Sequence, residues 1–120
     1  MSPADAPQPE PAVPALSHLD DVRDAVEPYP DRPRPQRVLV AEGARVVVFA
    51  FDAGQELREH TAAFPVLLQA LTGHLQVTAD GRTVDLEPGG VVHMTTRLPH
   101  AVRAVEPSRL MLTMLDPAAR

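Results

Sequence analysis

The feature that most constrains this chain is a series of short apolar runs, each ended by a turn signal, that begins at Arg37. Nine runs follow one another at a spacing of roughly nine residues, and glycine or proline ends each one before it reaches the length of a typical helix. They are RVLVAEG, RVVVFAFDAG, ELREHTAAFP, VLLQALTG, HLQVTADG, RTVDLEPGG, VVHMTTRLP, HAVRAVEP and RLMLTML. This cadence is typical of an antiparallel sandwich or a small barrel, so the sequence predicts an all-β fold.

One hairpin within this series is especially clear. Asp80 and Gly81 separate two runs, and both residue types readily take the positive φ values that a two-residue turn requires. On the run before the turn, Leu75 and Val77 alternate with polar residues. This alternation predicts a strand that is buried on one face only.

The N-terminal part of the chain follows a different pattern. Residues 1–15 are rich in Pro, Ala and acidic residues and are predicted to be disordered. Residues 17–27 carry apolar residues at helical spacing after a serine that could act as an N-cap, which predicts one short helix. The proline-rich residues that follow predict an extended linker. The expected organisation is therefore a disordered tail over 1–15, a helix and linker over 16–36, and a β-barrel domain over 37–116.

Composition excludes several classes of function. The chain has 16 acidic and 11 basic residues, for a net charge of −5, and its basic residues form no cluster, so a nucleic acid partner is not expected. No apolar run is long enough to span a membrane, and the N-terminus lacks the pattern of a signal peptide. The absence of cysteine excludes thiolate nucleophiles and Cys-type zinc sites. These features predict a cytoplasmic protein without a membrane partner.

The stretch GQELREHTAAFPVLLQALTG, from Gly54 to Gly73, resembles the first conserved motif of the cupins, G(X)5HXH(X)3,4E(X)6G. Gly54 opens the motif, His60 follows after five residues, and Gly73 closes it. The later stretch LEPGGVVHMTTRLPH resembles the second cupin motif in the form common among small bacterial members, with Gly89 at its start and His100 at its end. The resemblance covers residues 37–115.

This resemblance implies a double-stranded β-helix, or jelly-roll, barrel of the RmlC type. In cupins, two histidines and a glutamate of the first motif and one histidine of the second bind a divalent metal inside the barrel. His60 and His100 occupy two of these four positions, so we expect their rings to meet inside the barrel. The other two positions hold Ala62 and Val66, which leaves the ligand set for a divalent transition metal (Zn, Ni, Cu, Mn or Fe) incomplete.

Two further residues are candidates for a third metal ligand. Gln69 lies on the strand of the missing glutamate, but alternation from Val66 turns it to the opposite side unless a bulge changes the register. His93 lies on the strand before His100, and it points away from the barrel if its apolar neighbours point inward. Both candidates stay open at this point.

The substitutions at the ligand positions also predict a mostly apolar pocket. Such a pocket, in which two histidines provide the hydrogen-bonding groups, suits a small apolar or aromatic molecule. Arg97, in the loop before His100, is the cation best placed to meet a carboxylate. The predicted pocket residues are Ala62, Val66, Leu68, Ala70, Val92, Met94 and Arg97.

Three functions are compatible with this pattern, because fold alone does not decide function. The first is a binding or sensor protein that binds a small molecule, or a weakly held divalent metal, without turnover. The second is a metal-dependent enzyme of the dioxygenase or isomerase type, with His60 and His100 as ligands. The third is a metal-free enzyme in which one histidine acts as a general acid or base. A histidine pair can also be an ordinary polar element of a core, bonded to backbone carbonyls or water.

The first and last apolar runs, RVLVAEG and RLMLTML, are apolar on both faces. A strand of this kind at a sheet edge is usually covered or paired. The sequence therefore predicts a homodimer.

Overall fold

The computed structural model describes residues 13–120, which form nine strands and contain no helix. The strands are β1 (Arg34–Ala41), β2 (Ala44–Phe51), β3 (Glu56–His60), β4 (Val66–Thr72), β5 (Leu75–Ala79), β6 (Arg82–Leu86), β7 (Val91–Met94), β8 (His100–Ala104) and β9 (Ser108–Met114). Each of the nine apolar runs corresponds to one strand, so the predicted all-β fold is confirmed. None of the described residues belongs to a helix that is long and apolar enough to cross a membrane.

The strands form two antiparallel sheets. Five strands make the first sheet, in the order β1-β2-β9-β4-β7, and four make the second, in the order β3-β8-β5-β6. The core consists of the apolar side chains between the sheets. Its buried members are Phe51, Val66, Leu68, Ala70, Leu75, Val77, Leu86, Met94, Val102, Ala104, Leu110 and Leu112.

Side-chain alternation decides which residues enter this core. On β4, Val66, Leu68 and Ala70 are buried, whereas Leu67 and Gln69 between them are only half-buried. Successive side chains of a strand point to opposite faces, so an apolar residue at every second position fills the space between the sheets. The expectation that Val66, Leu68 and Ala70 face inward is confirmed.

The hairpin at Asp80-Gly81 also has the predicted form. Ala79 and Arg82 are direct partners across β5 and β6, which leaves a two-residue turn. Asp80 has a φ of 53° and Gly81 a φ of 70°, the left-handed values that such a turn needs. This register fixes which residues of β6 face the core.

The predicted helix over residues 17–27 is wrong. This segment has one turn, in which the Ala25 N–H donates to the Val22 carbonyl oxygen at 3.2 Å, and is otherwise irregular. Val26 is buried against Val48 and Ala50 of β2, on the face of the sheet away from the main core. A helix this short depends on tertiary packing for its stability, and here packing on the sheet favours a different conformation. Residues 1–12, with most of the predicted disordered tail, lie outside the described residues.

The proline-rich linker ends earlier than expected. β1 begins at Arg34 rather than at Arg37 and pairs with β2 along its whole length. The preceding residues lie on the domain surface, where the Gln55 side chain donates to the Tyr29 carbonyl oxygen at 2.9 Å. The ring of Tyr29 also stacks against the guanidinium group of Arg32, 4.4 Å from the ring centre.

Gly73, in the turn between β4 and β5, provides a test of this packing. Its φ is +83°, and a methyl group at this position would overlap the Ser108 hydroxyl and the Pro107 carbonyl oxygen. Gly81 has a similar φ of +70° but open space around it. We expect Gly81→Ala to lower the free energy of unfolding by about 1 kcal/mol through backbone strain alone. Gly73→Ala should cost roughly a further 1–3 kcal/mol through the overlap. Urea unfolding measures both, and equal losses would contradict the role of the close contact.

Candidate functional site

A β-bulge in β3 places His60 on the inner face of its sheet. Leu57 and His60 are three positions apart, so simple alternation would turn them to opposite faces. In the structure, Leu57 lies opposite Val102 and His60 lies opposite His100, with a register shift between the two pairs. The extra residue in β3 restores the inward direction for His60.

The two predicted histidines are neighbours. His60 and His100 are direct cross-strand partners, and their ring centres are 4.3 Å apart with an angle of 59° between the ring planes. His100 is buried, with 2% of its surface exposed, whereas His60 is exposed at the end of the barrel. The structure thus brings together two side chains that are forty positions apart in the chain.

Each ring is oriented by a hydrogen bond to the backbone two residues earlier. His60 Nδ1 lies 2.7 Å from the Arg58 carbonyl oxygen, and His100 Nδ1 lies 2.8 Å from the Leu98 carbonyl oxygen. A carbonyl oxygen only accepts, so Nδ1 carries the proton and donates in both rings. The neutral form of each histidine therefore has its lone pair on Nε2, the atom that could bind a ligand or a metal.

Burial makes the imidazole of His100 less basic than that of an exposed histidine. Desolvation lowers the pKa of His100 below its ordinary value of 6.5, and the charge of protonated His60 acts in the same direction. The hydrogen bond to the Leu98 carbonyl opposes this shift but is the smaller effect. At neutral pH His100 is therefore uncharged and has an available Nε2 lone pair.

The surroundings of the pair supply no further metal ligand from the described residues. Ala62 packs against the core and Val66 is buried in it, so the two remaining cupin ligand positions are apolar. Within residues 13–120, no group of three or more His, Asp or Glu side chains could hold a metal ion. The donor set fits a site with two imidazole ligands, whereas firm transition-metal sites use three or four.

Neither candidate for a third ligand accompanies the pair. Gln69 lies opposite Val91 and Met111, on the face of the sheet turned away from the core. His93 is exposed, and its neighbours Val92 and Met94 are the residues of β7 that pack on the core. The bulge that could have turned Gln69 inward is absent from this part of β4, where the register with β7 is regular.

A cavity of about 250 Å³ lies between the edge strands of the two sheets, β6 and β7. Of the predicted pocket residues, Val92 and Met94 line it, whereas Val66, Leu68 and Ala70 belong to the closed core. The lining residues are Val77, Ala79, Asp80, Arg82, Val84, Val92, His93, Met94 and Leu98. Six of these nine residues are aliphatic, and the other three, Asp80, Arg82 and His93, are exposed and define the mouth of the cavity.

The cavity and the histidine pair are connected through one row of the second sheet. His60 lies opposite His100, His100 lies opposite Ala79, and Ala79 lies opposite Arg82. Direct partners in antiparallel strands point to the same face, so these four residues share the inner face. Leu98, which accepts the hydrogen bond from His100, also lines the cavity. The cavity therefore begins beside His100.

The predicted pocket residue Arg97 lies outside the cavity lining. Its backbone N–H donates to the Ala62 carbonyl oxygen at 2.9 Å and joins the loops before β4 and β8. Its φ of 64° is unusual for a residue other than glycine. The Arg97 side chain is exposed, so we assign it a backbone role at the mouth rather than a place in the lining.

Sequence reasoning missed Arg82 and Asp80 as pocket residues. The signal was available in the predicted hairpin, because a two-residue turn makes Ala79 and Arg82 direct partners. Since Ala79 continues the inward alternation from Leu75 and Val77, Arg82 also had to face inward.

Comparison with models of known protein families finds no match for this sequence, and comparison with curated proteins finds none either. Solved structures do match. An RmlC-like cupin protein from Desulfovibrio desulfuricans has 26% identity and a TM-score of 0.74, over 84% of this chain and 97% of that one. A cupin superfamily protein from Desulfitobacterium hafniense has 18% identity and a TM-score of 0.72, over 87% and 94%. An uncharacterised protein with a double-stranded β-helix domain from Klebsiella pneumoniae has 20% identity and a TM-score of 0.75, over 88% and 95%.

Two facing antiparallel sheets with this strand order, matched over nearly the whole length of such structures, define a double-stranded β-helix protein. The chain has the cupin, or RmlC-like, jelly-roll fold.

The lowered pKa of His100 leads to a prediction about pH dependence. The folded pKa lies below 6.5, the value of an unperturbed histidine, so the unfolded chain binds this proton first as the pH falls. The contribution of buried, neutral His100 to the free energy of unfolding is fully present above about pH 6.5. It is lost as the pH falls through the pKa of His100 in the folded protein. We expect the free energy of unfolding to decrease over this range in the wild type and less so in His100→Gln. Urea unfolding between about pH 7.5 and 5 tests this, and an NMR titration that places the His100 pKa at or above 6.5 would contradict it.

Proposed function

We propose that this protein is a cupin-fold binding protein. It takes a small, largely apolar molecule into the cavity between β6 and β7, and it binds a divalent transition metal weakly at the adjacent His60–His100 pair. One observation supports this most directly: each ring is fixed through Nδ1, which leaves the Nε2 atoms of two neighbouring rings available, and within residues 13–120 no third His, Asp or Glu completes a metal-binding group with them.

The donor set favours weak metal binding over a firm metal site. Two imidazoles provide fewer protein ligands than the three of a typical catalytic zinc site. Non-haem iron oxygenases use two histidines and a carboxylate, and the apolar side chains of Ala62 and Val66 occupy the positions where cupins have further ligands. A metal at this pair would take its remaining ligands from water or from the bound molecule.

The cavity supports a small ligand with an aliphatic or aromatic body. Its walls come from Val77, Val84, Val92, Met94 and Leu98. Its volume of about 250 Å³ lies just below the usual range of roughly 300–1,000 Å³ for ligand pockets. This volume is that of roughly eight water molecules in the liquid. Because a water molecule has one non-hydrogen atom, a ligand of about eight non-hydrogen atoms fits the cavity.

A metal-dependent enzyme of the dioxygenase or isomerase type is the second candidate. The orientation of both rings by backbone hydrogen bonds favours it, because fixing of Nδ1 is the usual way in which a protein prepares a histidine for metal binding. The two candidates differ in metal affinity. The homodimer and the cytoplasmic location stay predictions from the sequence.

Metal titration separates these candidates. We expect protein purified without a histidine tag to contain little metal and to bind added Ni²⁺ or Zn²⁺ with low affinity by calorimetry. His60→Ala and His100→Gln should each weaken this binding at least about tenfold, because each removes one of two ligands. His93→Ala is the matched control and should change nothing. Metal that stays near one equivalent per chain through purification would favour the enzyme instead. No binding, or loss of binding in His93→Ala, would contradict the proposed site.

Blocking the cavity tests the ligand. We expect hexanamide, a neutral molecule of suitable size, to raise the melting temperature of the wild type at millimolar concentration. Val84→Phe should abolish this shift because it fills the cavity from the inner face of β6. Thr83→Phe places the same side chain on the outer face of β6 and should retain the shift. A shift that persists in Val84→Phe would show that the molecule binds elsewhere.

A further inference from the structure

Arg82 points toward the cavity from the first position of β6. It lies opposite Ala79, in the row that continues to His100, and it lines the cavity together with Val84 two positions later on the same face. Arg82 is also exposed. An exposed arginine beside an apolar cavity ordinarily packs its aliphatic stem on the apolar surface and keeps its guanidinium group in water, which here is at the mouth.

Arg82 differs from the arginines that this fold uses in ion pairs. Four arginines of the described residues pair with carboxylates at 3.1 Å or less: Arg23, Arg32, Arg45 and Arg109. The ion pairs among residues 13–120 do not include Arg82, although Asp80 borders the same cavity. A guanidinium group offers five N–H donors in a planar arrangement that matches a carboxylate.

We propose that the ligand of this cavity is a small monocarboxylate. Its carboxylate binds Arg82 at the mouth, and its apolar body lies among the aliphatic side chains between β6 and β7. This inference rests on the proposed binding function and adds to it the chemical class of the ligand.

The charges around the mouth make Arg82 decisive. The chain carries a net charge of −5, so the overall field of the protein does not attract an anion. Asp80 at the mouth repels a carboxylate, and the only other titratable group in the described lining is His93. The attraction must therefore come from direct contact with Arg82.

A pair of matched ligands tests this inference. Hexanoate and hexanamide have the same shape and differ in charge, and calorimetry at pH 7.5 measures their binding. We expect the wild type to bind hexanoate at least about tenfold more tightly than hexanamide, because a hydrogen bond between two charged groups contributes more to binding than one to a neutral amide. Arg82→Gln should weaken hexanoate binding at least about tenfold and change hexanamide binding less than about twofold. Arg103→Gln is the matched control, because this exposed arginine lies between inward-facing residues of β8 and points to the outer face.

Removing the negative charge of Asp80 provides a second test, in which hexanoate affinity should rise rather than fall. Asp80→Asn should tighten hexanoate binding by roughly twofold or more, because it removes the repulsion, and should leave hexanamide binding unchanged. Weaker hexanoate binding in Asp80→Asn, or unchanged hexanoate binding in Arg82→Gln, would overturn the inference. Binding of hexanamide without preference for hexanoate would overturn it as well and leave the proposed binding function intact. If the wild type binds neither molecule, both proposals fail.

Discussion

The packing of two inner sheet faces is the constraint on which the rest of this structure depends. All of the nine strands except β1 contribute inward-facing side chains to one space, and the strands are short, so few positions decide what that space contains. Most of these positions are apolar and form a closed core. His100 is an exception, because its ring is buried among apolar neighbours and still has both a backbone partner for Nδ1 and a second imidazole nearby. The burial that lowers its pKa is a direct result of the same packing.

On the second sheet, the polar residues of the inner face are arranged along one line. The line begins at His60, passes through His100 and ends at Arg82, with Ala79 as the one apolar member. Antiparallel registers place these residues side by side although they come from four different strands. The site therefore has two distinct polar ends, an imidazole pair at one and a guanidinium group at the other, next to an aliphatic cavity.

Local patterns in the sequence predicted the fold well, and the reasons are physical. The turn signals between apolar runs bound all nine strands, because glycine and proline act on the backbone at their own positions. The contact between His60 and His100 was predicted from the resemblance to cupin motifs. Alternation alone would not have predicted it, because the bulge in β3 changes which face the residues after Leu57 point to. The N-terminal helix was predicted wrongly because the burial of Val26 on the sheet is a tertiary effect that periodicity does not contain.

The bulge in β3 makes the chemistry of this barrel depend on the register of one strand. If β3 paired regularly from Leu57 onward, Glu59 would lie opposite His100 and the imidazole of His60 would turn to the outer face. Loss of the bulge would thus replace the two-nitrogen arrangement with a carboxylate beside an imidazole, without altering either histidine. The backbone irregularity of the third strand therefore decides the chemical capacity of this site as much as the identity of the residues that the strand carries.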